Sequence, residues 1–310
     1  MPATSLRAAM RATSLKGKDC MTDRPLRSVK SAERVFDILE FAAQRPEGVT
    51  FPEISEKLRI PKSSLHALLD VICLRGYLEL DPDRRRYRLG LRVWEAGQAF
   101  PRHHDILDVA RAVMRDLVAN VNETAQLARL SGRDNVYLAK EDCSHPLRLQ
   151  SDPGARLPAH ATGVGKALLA QLDEDELAAR MEGAELARFT PTTITTLPAL
   201  RAELAETRAR GFAVDDGEYT PGLFCLAVPV YERAGKAALA LSLSVPSIRV
   251  RRDSMIGALR AIADASAQLS ARIGVARTDP ALAALAAYPG AEAAIDALHA
   301  MGRGPRDLAS

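Results

Sequence analysis

The chain has 310 residues, of which 47% are hydrophobic, 26% charged and 5% aromatic, with a formal net charge of +3. That length holds two domains with separate cores, and the composition excludes disordered, collagen-like and disulfide-scaffold chains. No apolar run approaches the roughly 20 residues that cross a bilayer, so a cytoplasmic protein without a membrane partner is expected.

Residues 1–27 read as a basic extension, with Arg7, Arg11, Lys16, Lys18, Arg24 and Arg27 against Asp19 and Asp23. The segment lacks the apolar centre of a secretory signal, and Met21 is an alternative start of translation. From Val29 the apolar residues Ala32, Val35, Phe36, Leu39 and Ala43 follow helical spacing until Pro46-Glu47-Gly48. Thr50 and Glu53 then form the side-chain pair of a capping box opening a second helix through Ile54 and Leu58. Pro61 suits the first turn of a third helix, whose buried face is Leu65, Leu68, Leu69 and Ile72 and whose end is Gly76. Lys62, Ser63, Ser64 and His66 begin its exposed side. Strand-like segments 77–80 and 87–89 flank the turn Asp81-Pro82-Asp83, beside which stand Arg84, Arg85 and Arg86.

Helix, helix, turn, helix and basic hairpin together predict a winged helix-turn-helix over residues 28–90. The third helix can offer short polar side chains to base edges in the major groove, and the wing can grip phosphates. Lys30, Thr50, Lys62, Ser63, Ser64, His66, Arg84, Arg85 and Arg86 are therefore the candidate contacts to double-stranded operator DNA.

Ser28-Val-Lys-Ser-Ala-Glu-Arg-Val-Phe-Asp-Ile-Leu39, Ile60-Pro-Lys-Ser-Ser-Leu-His66, Gly76-Tyr-Leu78 and Tyr87-Arg-Leu-Gly90 resemble the IclR-type transcriptional regulators. The resemblance runs over about residues 28–275. It departs from the family's pattern at Ala67, where an arginine is common. It implies a linker helix over 91–104 that contributes to dimer contacts, and a GAF-like effector-binding domain over 105–275. The helical pattern from Leu91 is interrupted at Pro101, and its Trp94 must be buried against something.

Beyond residue 105 a helix to Val121 precedes alternating segments. Strands are expected at 124–130, 135–139, 146–150, 212–214, 226–230 and 237–245. Helices are expected at 163–171, 174–181, 198–210 and 253–273, giving an α+β class. In His160-Ala-Thr-Gly163-Val-Gly165-Lys-Ala-Leu-Leu169 a glycine-rich turn opens a helix, where free amides can hold an anion. A phosphate-binding P-loop would need Gly at position 160 and Ser or Thr at 167, and a dinucleotide fingerprint would need Gly at 168; His, Ala and Leu exclude both. His160 reads as a structural tie for its loop.

By resemblance, the amides of Gly163 and Val164 would face the ligand, with Asp215, Leu223 and Cys225 lining its pocket. Ser242 and Ser244 lie two apart on one strand and so share one face, turned either to a polar ligand or to solvent. Together these groups describe a site for a small monocarboxylate, such as a hydroxy or aromatic acid. Asp215 would accept a ligand hydroxyl and repel a second carboxylate.

Cys20, Cys73, Cys143 and Cys225 are too scattered for a zinc site or a disulfide framework, and no catalytic constellation is recognisable. No cofactor, metal or catalysis is expected. The competing readings are a small-molecule enzyme whose N-terminal helices only dimerise it, and a ligand sensor acting through protein partners. A homodimer is expected, and by resemblance a tetramer built as a dimer of dimers. Residues 276–310 are Ala-rich and read as a tail with one short helix, at 281–287 or 291–301.

Overall fold

A computed structural model describes residues 29–102, 106–147, 152–232, 236–275 and 279–303, and divides the chain into two units between Phe100 and Pro101. The basic extension with Met21 lies outside the described residues, as do 148–150 of the expected strand at 146–150.

The N-terminal unit begins with α1 (Lys30–Ala43), β1 (Val49–Thr50), α2 (Phe51–Lys57) and α3 (Lys62–Leu74). The hairpin β2 (Leu78–Asp81) and β3 (Arg86–Leu89) follows, and then α4 (Leu91–Arg102). Ile38, Phe41, Ile54, Leu65, Leu69, Ile72 and Leu78 converge in one small core. The capping box forms as expected: Thr50 Oγ1 accepts the Glu53 amide, and Glu53 Oε2 accepts the Thr50 amide at 2.7 Å. β1 pairs antiparallel with β3, so the wing is a three-stranded sheet in the order β1-β3-β2. A two-residue strand is too short to show alternation, so no periodicity announces it.

Pro101 does not interrupt α4, which runs on to Arg102. Trp94 is 63% exposed, and Phe36 on α1, Val71 and Leu74 on α3 and Leu91 on α4 are exposed as well.

The second unit opens with α5 (Ile106–Val121), β4 (Thr124–Ser131), β5 (Asp134–Glu141) and β6 (Arg156–Pro158). Three helices come next: α6 (Gly163–Leu169), α7 (Glu174–Met181) and α8 (Leu197–Arg210). They lead to β7 (Ala213–Asp216), β8 (Leu223–Tyr231) and β9 (Ala237–Pro246), and then to α9 (Arg252–Arg272), α10 (Pro280–Ala286) and α11 (Tyr288–Ala300). The strands form one antiparallel sheet in the order β6-β5-β4-β9-β8-β7. Pro146 and Leu147 form a bend, and the edge strand is 156–158 instead.

The two faces of the sheet differ. Leu127, Val214, Phe224, Leu226, Val228, Leu241 and Leu243 point to one side, into the large core shared with α5, α9, α10 and α11. The other side carries Ala128, Ala213, Ala227 and Ala240 beneath Val164, Ala167 and Leu168 of α6. Alanines there leave room for the helix to lie close to the strands.

Residues 279–303 are not a tail with one helix. Both candidate helices form, and Leu282, Leu285, Ala291, Ile295 and Leu298 are buried in the main core. An Ala-rich pattern reads as weakly amphipathic, and only packing against α9 shows which face is buried. No single helix among the described residues is long and apolar enough to cross a membrane.

Candidate functional site

The surface of α3 and the wing is built from short-range rules. Lys62, Ser63 and His66 are exposed at the start of α3, Ser64 is half-buried, and Lys30 is exposed at the start of α1. His66 stacks on Phe51, with ring centroids 4.3 Å apart and planes at 29°, which fixes the imidazole at the helix surface. Thr50 is half-buried, and its oxygen is already used as the α2 cap. At the wing turn Asp81 Oδ1 accepts the amides of Asp83 and Arg84, both at 3.1 Å. Arg85 takes a left-handed φ of 50°, which costs a non-glycine residue some strain and helps the chain reverse tightly. Arg84 and Arg85 are exposed at the tip.

Arg86 is not at the tip. Its guanidinium donates to Gly48 O at 2.7 Å and lies 3.8 Å from Glu53, bracing the sheet from within the unit. The three consecutive arginines are one cluster in sequence, but pairing of Arg86 with Thr50 and Asp81 turns it inward.

The second site lies on the alanine-rich face of the large sheet. Strand register places Asp215 opposite Cys225, Cys225 opposite Ser244, and Ser244 opposite Thr124. The neighbouring row is Ala213, Ala227, Ser242 and Gln126. One polar row across four strands is thus made by residues 124 to 244, none of which signals it alone.

A cavity of about 320 Å³ opens over these rows, lined by Gln126, Tyr137, Thr162, Gly163, Val164, Asp215, Tyr219, Thr220, Leu223, Cys225 and Ser242, among others. Gln126, Tyr137, Thr162, Tyr219 and Thr220 were not among the expected residues. Buried Gln126 among Ala125, Leu127 and Ala128 of β4 was the one available signal.

Both serines are buried, at 2% exposure, so the solvent-facing alternative is excluded. Ser242 lines the cavity, whereas Ser244 sits under it, donating to Gln126 Oε1 at 3.0 Å beside Cys225 Sγ at 3.3 Å.

Helix α6 ends over the cavity because Thr162 caps it, accepting the Gly165 amide at 3.3 Å while donating to Asn135 Oδ1 at 2.6 Å. Gly163 packs on Cys225 and Ala227, and a β-carbon at Gly165 would lie 2.2 Å from Ala159 O. Backbone proximity therefore requires that second glycine. Gly163 and Val164 stand at the helix start, where amides have no intrahelical acceptor. His160 is buried and its Nε2 pairs with Ala187 O at 3.1 Å, tying the loop down as expected.

Burial dominates the electrostatics. It pushes the Asp215 carboxyl up to about 7, against opposing contributions from Lys166 and from the amides of Glu218 and Tyr219. It also raises the Tyr137 phenol and the Cys225 thiol. Among the described residues no Lys or Arg lines the cavity. Behind its wall, fully buried Lys166 donates to Glu218 Oε1 at 2.5 Å. Among the described residues no group of His, Cys, Asp and Glu is placed to hold a metal ion.

Two family models match the chain: the IclR helix-turn-helix domain over residues 31–82, and the bacterial transcriptional regulator IclR C-terminal domain over residues 98–271. The chain belongs to the IclR family. It is 35% identical over 246 residues to the HTH-type transcriptional regulator XynR of Escherichia coli, an alignment covering 79% of this chain and 98% of XynR. It is 32% identical to the HTH-type transcriptional repressor AllR of Salmonella typhimurium, covering 80% of this chain and 92% of AllR. Among solved structures, an IclR homologue from Microbacterium hydrocarbonoxydans complexed with 4-hydroxybenzoate matches with a TM-score of 0.68 at 25% identity, covering 78% of this chain and 98% of that one.

Membership fixes the general function. This IclR-family chain is a transcriptional regulator that joins a helix-turn-helix DNA-binding domain to a C-terminal effector-binding domain. Its fold is that of IclR structures, an N-terminal helix-turn-helix followed by the mixed helix–strand domain described above.

Proposed function

We propose that the regulator senses a small monocarboxylate in the cavity over Asp215, Cys225 and Ser242, and binds paired operator half-sites as a homodimer. The cavity of about 320 Å³ carries the reading, since its volume suits a single small molecule and a few polar groups converge in a largely apolar lining. Neutral donors at Gly163, Val164 and Ser242 suit one anion, and the Asp215 carboxyl disfavours a phosphate or a dianion. Leu223 and Leu157 offer the limited apolar wall that an aromatic or short aliphatic body needs. The bound 4-hydroxybenzoate of the Microbacterium homologue is a ligand of this class.

The protein acts by binding alone in this reading, with no cofactor and no catalytic step. Cys225 is buried beside Ser244 and its thiol is raised by burial, which suits a lining residue and not a thiolate nucleophile. Lys62, Ser63, Ser64 and His66 would enter the major groove, with Arg84, Arg85 and Lys30 on phosphates. The exposed Phe36, Val71, Leu74, Leu91 and Trp94 supply apolar surface for a second copy. The DNA-binding domain would occupy 28–90, the linker 91–104 and the effector domain 105–303, in the cytoplasm.

Two measurements test this together. Thermal-shift titration with acetate, lactate, benzoate and 4-hydroxybenzoate should raise the melting temperature, because a ligand specific for the folded state stabilises it. A gel shift on the protein's own upstream DNA should respond to the same acid. Stabilisation by nucleotides or sugar phosphates, and by none of the acids, would overturn the ligand class.

A further inference from the structure

The family match ends at residue 271, yet the chain continues through α10 and α11 to a side chain packed against the effector domain. Docking of this segment is specific. Asp279 caps α10 by accepting the amides of Ala281 and Leu282 at 2.8 and 3.2 Å. Gly211, with φ at +82°, would place a β-carbon 2.8 Å from that of Ala281, so the turn after α8 is shaped to receive α10. Arg252 of α9 holds α11 by donating to both oxygens of Asp296, each at 2.7 Å.

The segment ends on Arg303. Helix α11 closes with Gly302 at φ +72°, whose amide donates to His299 O at 2.9 Å, while the Arg303 amide donates to Leu298 O at 3.0 Å. That reversal sends the Arg303 guanidinium to Glu203 of α8 and to Glu218 Oε1, the latter at 3.1 Å.

Glu218 is the joint of the cavity wall. Its Oε1 also takes the bond from Lys166 on α6, and its amide donates to Asp215 Oδ1 at 2.7 Å. Its carbonyl accepts from Thr193 Oγ1 at 2.6 Å, and the next two residues, Tyr219 and Thr220, line the cavity. Its other oxygen, Oε2, has no hydrogen-bond partner among the described residues, so the carboxylate is held through Oε1 alone by Lys166 and Arg303.

We propose that residues 279–303 form a strap that fixes the Asp215–Thr220 wall of the effector cavity, with Arg303 as a positioning residue acting through Glu218. The inference deepens the effector reading and rests on it for its functional consequence. Arg303 is not among the residues lining the cavity but holds the group that orders the wall. A wall held in its binding geometry before ligand arrives saves the ordering cost of binding. The strap therefore raises affinity for the acid. Loss of Arg303 leaves Glu203 within 2.8 Å of Arg210 and 3.7 Å of Lys166, so the domain retains compensated charges and folds.

The test uses the full chain as wild type, Arg303→Gln and Arg303→Lys. Hydrogen exchange in the absence of ligand should show the 216–223 segment exchanging at least fivefold faster in Arg303→Gln. Arg303→Lys should recover most of the protection, and α9 and α11 should be unchanged. With 4-hydroxybenzoate or benzoate as probe, whichever stabilises wild type, Arg303→Gln should bind about fivefold to tenfold more weakly. Equal exchange at 216–223 in wild type and Arg303→Gln overturns the strap. Faster exchange spread equally through α9 and α11 also overturns it, since that describes general loosening of the domain. Failure of wild type to bind any acid would refute the effector reading instead, and the exchange data decide the strap without it.

Discussion

The two functional regions handle charge in opposite ways. On the wing, Arg84 and Arg85 stand in water, where side-chain charges are screened and each acts nearly alone. Behind the proposed effector cavity, Lys166, Glu203, Arg210, Glu218 and Arg303 share bonds, and all but Arg303 are largely buried. The first arrangement suits reversible contact with a polyanion, and contributions there should add. The second suits a fixed geometry, where the cost of removing one member depends on the partners its neighbours keep.

The contrast is broken most easily at its buried end. Lys166→Met should lower unfolding stability by about 3 kcal/mol, because it breaks the buried pair with Glu218 and leaves that carboxylate only Arg303 at 3.1 Å. Arg92→Ala, which removes the exposed pair with Glu95 at 3.0 Å, should change stability by less than about 1 kcal/mol. Denaturant melts of both variants check this, and equal losses would erase the distinction.

On DNA, the double change Arg84→Ala and Arg85→Ala should weaken operator and random DNA alike, by about 10- to 100-fold. The log–log salt slope should shrink by roughly one unit for each phosphate that an arginine no longer neutralises. Arg86→Ala should instead lower the melting temperature of the N-terminal unit, since it removes the bond to Gly48 O. A titration series at several salt concentrations separates these two effects.

In the cavity, Ser242→Ala should weaken acid binding about tenfold, close to 1.4 kcal/mol for the loss of one donor to an anion. DNA affinity without ligand should be unchanged, because only differential binding to two states couples the sites. Calorimetry with the stabilising acid and a ligand-free gel shift provide the two readings.

A further expected effect is on pH. The folded Asp215 carboxyl is raised from 3.8 to about 7 by burial. A raised acid favours the folded state fully below its unfolded value, and that contribution is lost as pH rises through the folded one. Wild type should therefore lose stability relative to Asp215→Asn between about pH 4 and pH 7. A carboxylate ligand beside a neutral Asp215 should also bind several-fold better at pH 6 than at pH 8. An identical pH profile in Asp215→Asn would assign the dependence to another group.

The helices α1, α2, α3 and α7 were legible in the sequence, because capping pairs and 3.6-residue periodicity act within a few residues of chain. So were β4, β5, β7, β8 and β9, though the register joining them was not, and β6 was expected about ten residues too early. The sequence determined that there is a basic hairpin after a helix-turn-helix, and that a glycine-rich turn opens α6 without being a nucleotide loop. Tertiary structure alone decided that Arg86 braces the wing from inside while Arg84 and Arg85 face out. It also decided that Gln126, Tyr137 and Tyr219 meet Ser242 and Asp215, and that an Ala-rich end carries Arg303 to Glu218. Local signals come from interactions between neighbours along the chain. A buried polar site is made by contacts between residues far apart in it, such as Ser244 and Gln126, separated by 118 positions and joined only when β4 and β9 pair.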